Sequence, residues 1–279
     1  MTHYEFEQTA FDGLSLFFQG WQSNIEPKGV ISLVHGLGEH SGRYTHWAAL
    51  LTHAGYSILS FDLRGHGKSQ GKKGHAPSFD AYVKDISLLL GEAEKRYPGL
   101  PCFLYGHSLG GVLVANYVLR IKPKLAGVVI TSPGFRTALE QQKLKIFLAK
   151  IIGSLLPELS MPTGLDPKAI SRDPEVVNVY INDPLVHGVA TAAMAKNTLD
   201  SISWAFQHAS EWTLPLLLMH GENDQIAFVK GSREFSGLIK GDCTLKIWPG
   251  MFHEVHNEPE KEQVFEHLRN WLDAHSHAS

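Results

Sequence analysis

Ser108 sits between two glycines in Tyr105-Gly106-His107-Ser108-Leu109-Gly110-Gly111, a Gly-x-Ser-x-Gly pattern. Its hydroxyl can serve as a nucleophile if the chain turns sharply there. An apolar run from Cys102 to Tyr105 reads as a buried strand. Leu109 to Arg120 reads as a helix, with Val112, Leu113, Tyr117 and Leu119 among its apolar positions. A serine on so tight a strand-to-helix turn is strained, and side chains at the flanking positions would collide with neighbouring backbone, so glycine is needed there. The turn holds the hydroxyl clear of the sheet, at the positive end of a helix. A Ser-capped glycine turn carries the same letters, so the rest of the chain must decide between the two.

A serine hydroxyl is a poor nucleophile at neutral pH and needs a base, usually histidine, oriented by a carboxylate. Behind such an elbow the order along the chain is Ser, then Asp or Glu, then His. Asp224 lies in His220-Gly221-Glu222-Asn223-Asp224, after a late strand. One strand later comes His253, in Gly250-Met251-Phe252-His253. Both loops start at the carboxyl ends of predicted parallel strands, the same edge as the elbow. Glu222 in place of Asp224, and His256 in place of His253, are the alternatives. Asp242 precedes its strand and belongs to the opposite edge. An oxyanion needs two backbone N–H groups. Leu109, directly after the serine, supplies one. Leu37, between the glycines of His35-Gly36-Leu37-Gly38, supplies the other.

The elements that must carry these residues alternate. Residues 3–22 form a hairpin around Asp12-Gly13. Strands are expected at Val30 to Val34, Tyr56 to Phe61, Leu125 to Thr131, Leu214 to Met219 and Cys243 to Trp248. Helices are expected at about Tyr44 to Ala54, Phe79 to Arg96, Phe228 to Leu238 and Pro259 to His275. The class is α/β, with a mostly parallel central sheet covered by helices on both faces. Between Pro133 and Trp212 the pattern breaks. Leu144, Phe147, Leu148, Ile151, Ile152 and Leu155 make a helical stripe. Prolines then divide the segment, and no strand is evident. The expected domains are a core of residues 1–133 and 213–279 and a helical cap of residues 134–212 over the carboxyl edge of the sheet. The stripe suits either packing on the core or a lid that meets apolar substrate.

Composition excludes several classes. With 279 residues, 43% hydrophobic and 19% charged, the chain is an ordinary folded protein. A net charge of -3 gives no electrostatic case for nucleic acid. Cys102 and Cys243 both fall in strand-like runs and read as buried thiols, which fits a reducing compartment. No secretory leader or transmembrane run is visible, so a cytoplasmic protein, or one peripheral to a membrane, is expected. Sixteen histidines invite a metal reading. No metal is expected, because His253-Glu254-Val255-His256 is one residue short of H-E-x-x-H and no zinc spacing occurs. The loop Arg64-Gly65-His66-Gly67-Lys68-Ser69 lacks both phosphate-loop and dinucleotide spacings and reads as a structural turn.

With these residues placed, nearly the whole chain resembles the monoacylglycerol lipase and lysophospholipase branch of the α/β-hydrolase superfamily. The resemblance rests on His35-Gly36-Leu37-Gly38-Glu39-His40-Ser41-Gly42-Arg43-Tyr44, on Asp62-Leu63-Arg64-Gly65-His66-Gly67-Lys68-Ser69, on the elbow, and on His253 with His256. It implies the α/β-hydrolase fold, a helical cap, and a polar pocket in which Glu39, Arg43 and His256 hold a glycerol leaving group. A carboxylate, a guanidinium and an imidazole supply both the donors and the acceptors that glycerol hydroxyls need. Glu39 and Arg43, four apart at a helix start, also suit an ion pair that orders the loop. The implied activity is hydrolysis of monoacylglycerols to fatty acid and glycerol through an acyl-enzyme, without cofactor. The partner is a small lipid ester, and the cap allows transient contact with a membrane surface.

A lysophospholipase or broad carboxylesterase is the alternative, although a phosphate would be drawn to Arg43 and repelled by Glu39. Nothing marks a site for a free amino terminus, which disfavours the proline-releasing peptidases. Serine rather than aspartate at the elbow argues against epoxide hydrolases and haloalkane dehalogenases. A non-catalytic relative would have lost part of the Ser, Asp and His set, and every part is present.

Overall fold

Strands buried along their whole length need cover on both faces, and that requirement organises this chain. The computed structural model describes residues 1–138 and 151–276. β1 (Thr2–Thr9) and β2 (Ser15–Gln22) form the hairpin, with Thr9 opposite Ser15 and Gly13 in the left-handed region of the turn. β3 (Gly29–Val34), β4 (Tyr56–Phe61), β5 (Cys102–His107) and β6 (Gly127–Thr131) follow, almost all of their residues buried. Two short strands, β7 (Ser160–Pro162) and β8 (Val189–Thr191), precede β9 (Leu216–Gly221) and β10 (Cys243–Trp248). The main sheet runs β1-β2-β4-β3-β5-β6-β9-β10, parallel from β4 onwards, with β1 and β2 antiparallel at one edge. β1 alternates exposed with half-buried residues, as an edge strand with one wet face should.

Helices fill both faces. α1 (Thr45–His53) joins β3 to β4, α2 (Phe79–Arg96) joins β4 to β5, and α3 (Leu109–Ile121) follows the elbow. α4 (Pro174–Asn182) and α5 (Ala192–His208) lie between β6 and β9. α6 (Val229–Leu238) and α7 (Lys261–His275) complete the chain. On one face Ile86, Leu113, Met194 and Phe235 from α2, α3, α5 and α6 pack on Leu104, Ile130 and Leu218. On the other, Trp47, Leu51, Leu268 and Trp271 from α1 and α7 pack on Ile31, Phe103 and Leu217. β3 has β4 on one side and β5 on the other, so the chain reverses direction across the sheet there. The carboxyl ends of β3 and β5 therefore open a crevice, the usual ligand position in such sheets.

The segment between β6 and β9 departs from expectation in one respect. β7 and β8 pair antiparallel, with Met161 opposite Ala190. Strands of three residues are too short to carry a readable alternation. Of the expected apolar stripe, Leu144, Phe147 and Leu148 lie outside the described residues. Residues 151–155 are helical, with Ile151 and Leu155 exposed and Ile152 half-buried. The segment is tied to the core at the crevice: the His187 N–H donates to the Gly38 carbonyl (2.9 Å), Thr191 to that of Gly74 (2.8 Å), and His40 Nε2 lies 2.8 Å from Asp183. Among the described residues no helix is long and apolar enough to cross a membrane. Both cysteines are free and only half-buried, a correction to the buried thiols expected, because each starts its strand at the sheet's rim.

Candidate active site

At the end of β5 the backbone turns so tightly that Ser108 takes φ 54° and ψ -115°, a sparsely populated conformation for a residue with a side chain. Neighbouring strands hold it there. The Ser108 N–H donates to Thr131 O (2.9 Å), and its carbonyl accepts from Val112 (3.2 Å) and Gly134 (3.3 Å). The glycines answer to packing rather than to dihedral angle. A Cβ on Gly106 would meet the Gly110 carbonyl at 2.5 Å, and one on Gly110 would strike the Val34 carbonyl.

The loops after β9 and β10 meet at this turn. Ser108 Oγ lies 2.9 Å from His253 Nε2, and His253 Nδ1 lies 2.7 Å from Asp224 Oδ2. Asp224 Oδ1 accepts the N–H groups of Ile226 (2.8 Å) and Ala227 (2.9 Å). A second imidazole reaches the same carboxylate, with His220 Nε2 at 3.1 Å from Oδ2 and 2.8 Å from Ala227 O. His220 Nδ1 lies 2.7 Å from Ser232 Oγ. Nε2 faces two acceptors, so the proton belongs on Nε2 and the serine hydroxyl donates to Nδ1. Burial alone would raise the Asp224 carboxyl. The charge of His253 and the hydrogen bonds from His220 and His253 outweigh burial and hold it well below the usual carboxylate range. Burial pulls His253 down, but the charge and hydrogen bond of Asp224 raise it above an ordinary histidine. Glu222 is exposed, and Asp242 bonds through its carbonyl to Leu216 at the start of β9.

The loop after β3 faces the serine. His35 Nδ1 donates to Gly36 O (2.8 Å) while its Nε2 accepts the Leu63 N–H (2.9 Å). The Gly36 N–H is committed to Glu39 Oε1 (2.6 Å). In a trans peptide the C=O and N–H point opposite ways, so the bond to Gly36 O turns the Leu37 N–H away from His35. Gly36 and Leu37 line the crevice with Ser108. Leu109 opens α3, where first-turn N–H groups lack helical partners.

Beyond the loop is a buried ionic cluster. Glu39 Oε1 also accepts Tyr44 Oη–H (2.9 Å), and Glu39 Oε2 accepts Arg43 Nη1 (2.7 Å). Arg43 forks onto Glu254, at 2.6 and 2.8 Å, and Asn257 Nδ2 donates to Glu254 as well (2.7 Å). The ring of Tyr180, from α4, lies 4.7 Å from the guanidinium carbon. Burial would raise Glu254, but Arg43 outweighs it and holds the carboxyl down to about 2. Glu39, Glu254 and Tyr180 line the crevice with Ser108 and His253, as do Leu165, Asp166 and Ile170.

His256 stands behind this wall. It is fully buried, stacked 4.9 Å from Tyr44 and edge-on to His107 at 4.9 Å. Neither ring nitrogen has a hydrogen-bond partner among the described residues, and burial pushes its pKa down to about 3. Glu254, Tyr44, Tyr180 and His220 were not singled out from the sequence. Only the position of Glu254, directly after His253, could have signalled one of them.

A family model described as serine aminopeptidase, S33, matches residues 25–260. A monoacylglycerol lipase of Mycolicibacterium smegmatis is 36% identical over 265 residues, 94% of this chain and 94% of that one. An abhydrolase domain-containing protein of Dictyostelium discoideum is 38% identical over 264 residues, 94% of this chain, which spans 28% of that much longer protein. The crystal structure of Paleococcus ferrophilus monoacylglycerol lipase superposes with a TM-score of 0.86 at 37% identity, over 93% of this chain and 99% of that one. The chain belongs to the serine aminopeptidase S33 family of α/β-hydrolase-fold serine hydrolases, on the branch that holds the monoacylglycerol lipases.

Proposed function

We propose that the protein hydrolyses monoacylglycerols to a fatty acid and glycerol, with Ser108 as nucleophile, His253 as general base and acid, and Asp224 as its orienting carboxylate. The observation that carries this reading is the unbroken Ser108–His253–Asp224 hydrogen-bonded chain, opening into a crevice lined by both apolar and charged side chains. His253 Nε2 takes the Ser108 proton as Oγ attacks the ester carbonyl. The N–H groups of Leu37 and Leu109 stabilise the tetrahedral oxyanion. His253 then returns the proton to the departing glycerol oxygen. Water, deprotonated by the same imidazole, attacks the acyl-enzyme and frees the fatty acid and Ser108.

The polar end takes the glycerol. Glu39 and Glu254 offer acceptors to its hydroxyls and Tyr180 lines the same wall, while Arg43 pairs with both carboxylates and His256 packs on Tyr44 and His107. Residues 134–212 act as the cap, laying Leu165, Ile170 and Tyr180 along the crevice as the start of an acyl channel. The exposed apolar residues of the cap, Leu155, Leu156, Val179 and Ile181, allow transient contact with a lipid surface. Fatty-acid release from a monoacylglycerol and from lysophosphatidylcholine of the same acyl chain tests the reading. Clear preference for the monoacylglycerol is expected, and equal or faster release from the lysophospholipid would make the enzyme a lysophospholipase with the same triad.

A further inference from the structure

Arg43 pairs with two carboxylates, Glu39 and Glu254, at the crevice's polar end. Each acid meets donors only. Glu39 accepts from Gly36, Tyr44 and Arg43, and Glu254 from both Arg43 nitrogens and Asn257. A carboxyl group so surrounded has no acceptor for a proton of its own, and Arg43 holds Glu254 below the usual carboxylate range. One guanidinium against two carboxylates leaves a surplus negative charge. All three side chains are less than one-tenth exposed, so water screens that charge poorly. Of the described residues lining the crevice, His253 alone can turn cationic, and Asp224 already balances it. The residues lining the crevice include Glu39, Asp166 and Glu254 but neither lysine nor arginine, and the adjacent His107 and His256 are kept neutral by burial.

We propose that Glu254 is a specificity-determining residue that makes the alcohol end of the crevice net negative, so that the enzyme accepts esters of neutral or cationic alcohols and rejects esters whose alcohol carries a phosphate. The proposal rests on the reading that this end of the crevice holds the leaving alcohol. Without Glu254, Arg43 would have one face free and would attract a phosphate. With Glu254 in place, Nη1 and Nη2 of Arg43 both donate to carboxylate oxygens, and a phosphate meets the carboxylates instead. The discrimination acts on the alcohol, so it is independent of acyl length.

The test compares kcat/KM for four substrates with one acyl chain: monoacylglycerol, lysophosphatidic acid, the acylcholine and the ethyl ester. The ethyl ester serves as a reference with no charge and no polyol. In the wild type the phosphate-bearing ester is expected to be turned over far more slowly than the ethyl ester, and the acylcholine at least as well. Glu254→Gln keeps the shape and removes the charge. It is expected to raise the phosphate-to-ethyl ratio by about tenfold or more, since one charge a few ångströms away acts more strongly in a poorly screened site than in water, and to lower the choline-to-ethyl ratio. Ratios cancel any general loss of catalysis from disturbing His253's neighbour. Unchanged ratios in a folded variant overturn the proposal. If Glu254→Gln does not fold, inhibition of the wild type by glycerol 3-phosphate and by glycerol decides: phosphate binding as tight as glycerol binding would also overturn it. A wild type that ignores monoacylglycerol while the ratios shift as described would refute the glyceride reading and leave the charge selection standing.

Discussion

His220 and His253 share one carboxylate oxygen: their Nε2 and Nδ1 atoms lie 3.1 and 2.7 Å from Asp224 Oδ2. An acceptor that already receives one N–H is a weaker base toward the next, so His220 moderates the pull of Asp224 on His253. The ionisable groups facing His253 include Asp224, Glu254, Glu39, His107 and His256, and His220 reaches it through their shared Asp224. Removing the donor in His220→Leu should raise the acid limb of kcat/KM versus pH by about half a unit to one unit. It should also destabilise the fold by about 1–3 kcal/mol, since Ala227 O and the Ser232 hydroxyl lose a buried partner. A lower melting temperature with an unmoved acid limb would reduce His220 to a packing role.

The wild-type pH profile has a definite sign. Asp224 raises the pKa of His253 above the ordinary value of 6.5, so the ring stays protonated to higher pH than a free histidine. Only the neutral ring can take the Ser108 proton. Activity should therefore be present above that raised pKa and fall as pH drops through it, with the limb of kcat/KM above 6.5. Asp224→Asn should move the limb downward and cut kcat by about 10³–10⁴-fold, since the imidazole loses both its charge partner and its tautomer control. A pH series on the two proteins checks both expectations.

Gly221 ends β9, three residues before Asp224, and a Cβ there would run into the carbonyls of Met251 and Phe252, just before His253. Gly221→Ala should separate the two loops, lowering stability by about 3 kcal/mol or more and kcat with it. Gly237 in α6 has open space around its Cβ position. Gly237→Ala should stabilise by up to about 1 kcal/mol and leave kcat unchanged. Thermal melts and initial rates on the pair separate loop spacing from generic glycine effects.

Arg43 keeps two buried carboxylates neutralised on one side. Arg43→Leu should cost about 3–5 kcal/mol of stability, because it strands Glu39 and Glu254 without their partner. The same change in a Glu254→Gln background should cost less, and a double-mutant cycle by denaturant unfolding measures the coupling. Additive losses would mean that the two side chains act independently.

The parts of this site that sequence could reach are those fixed by chain order and strand ends. Ser108, Asp224 and His253 each follow a strand of the parallel sheet, so predicting the strands put all three on one rim. Tyr56 to Phe61, Phe79 to Arg96 and Cys243 to Trp248 were legible to the residue, because buried strands and long helices carry strong apolar patterns. β7 and β8 were invisible at three residues each. Glu254 and His220 were missed for another reason. Their partners, Arg43 and Asp224, become neighbours only through the loops of the folded sheet, and neither residue stands in a periodic pattern. The resemblance places His256 in the pocket with Glu39 and Arg43. In the fold it is fully buried, stacked on Tyr44 and edge-on to His107, contacts that no sequence pattern announces.

The central claim is that Ser108 attacks the ester, and one comparison tests it most directly: fatty-acid release from a monoacylglycerol by the wild type and by Ser108→Ala. Among the described residues the hydroxyl bonds to His253 alone, so its loss should leave the melting temperature nearly unchanged. Turnover should fall by about 10⁴-fold or more, leaving the residual catalysis of binding and the oxyanion hole. Release near the wild-type rate by folded Ser108→Ala protein would contradict the account.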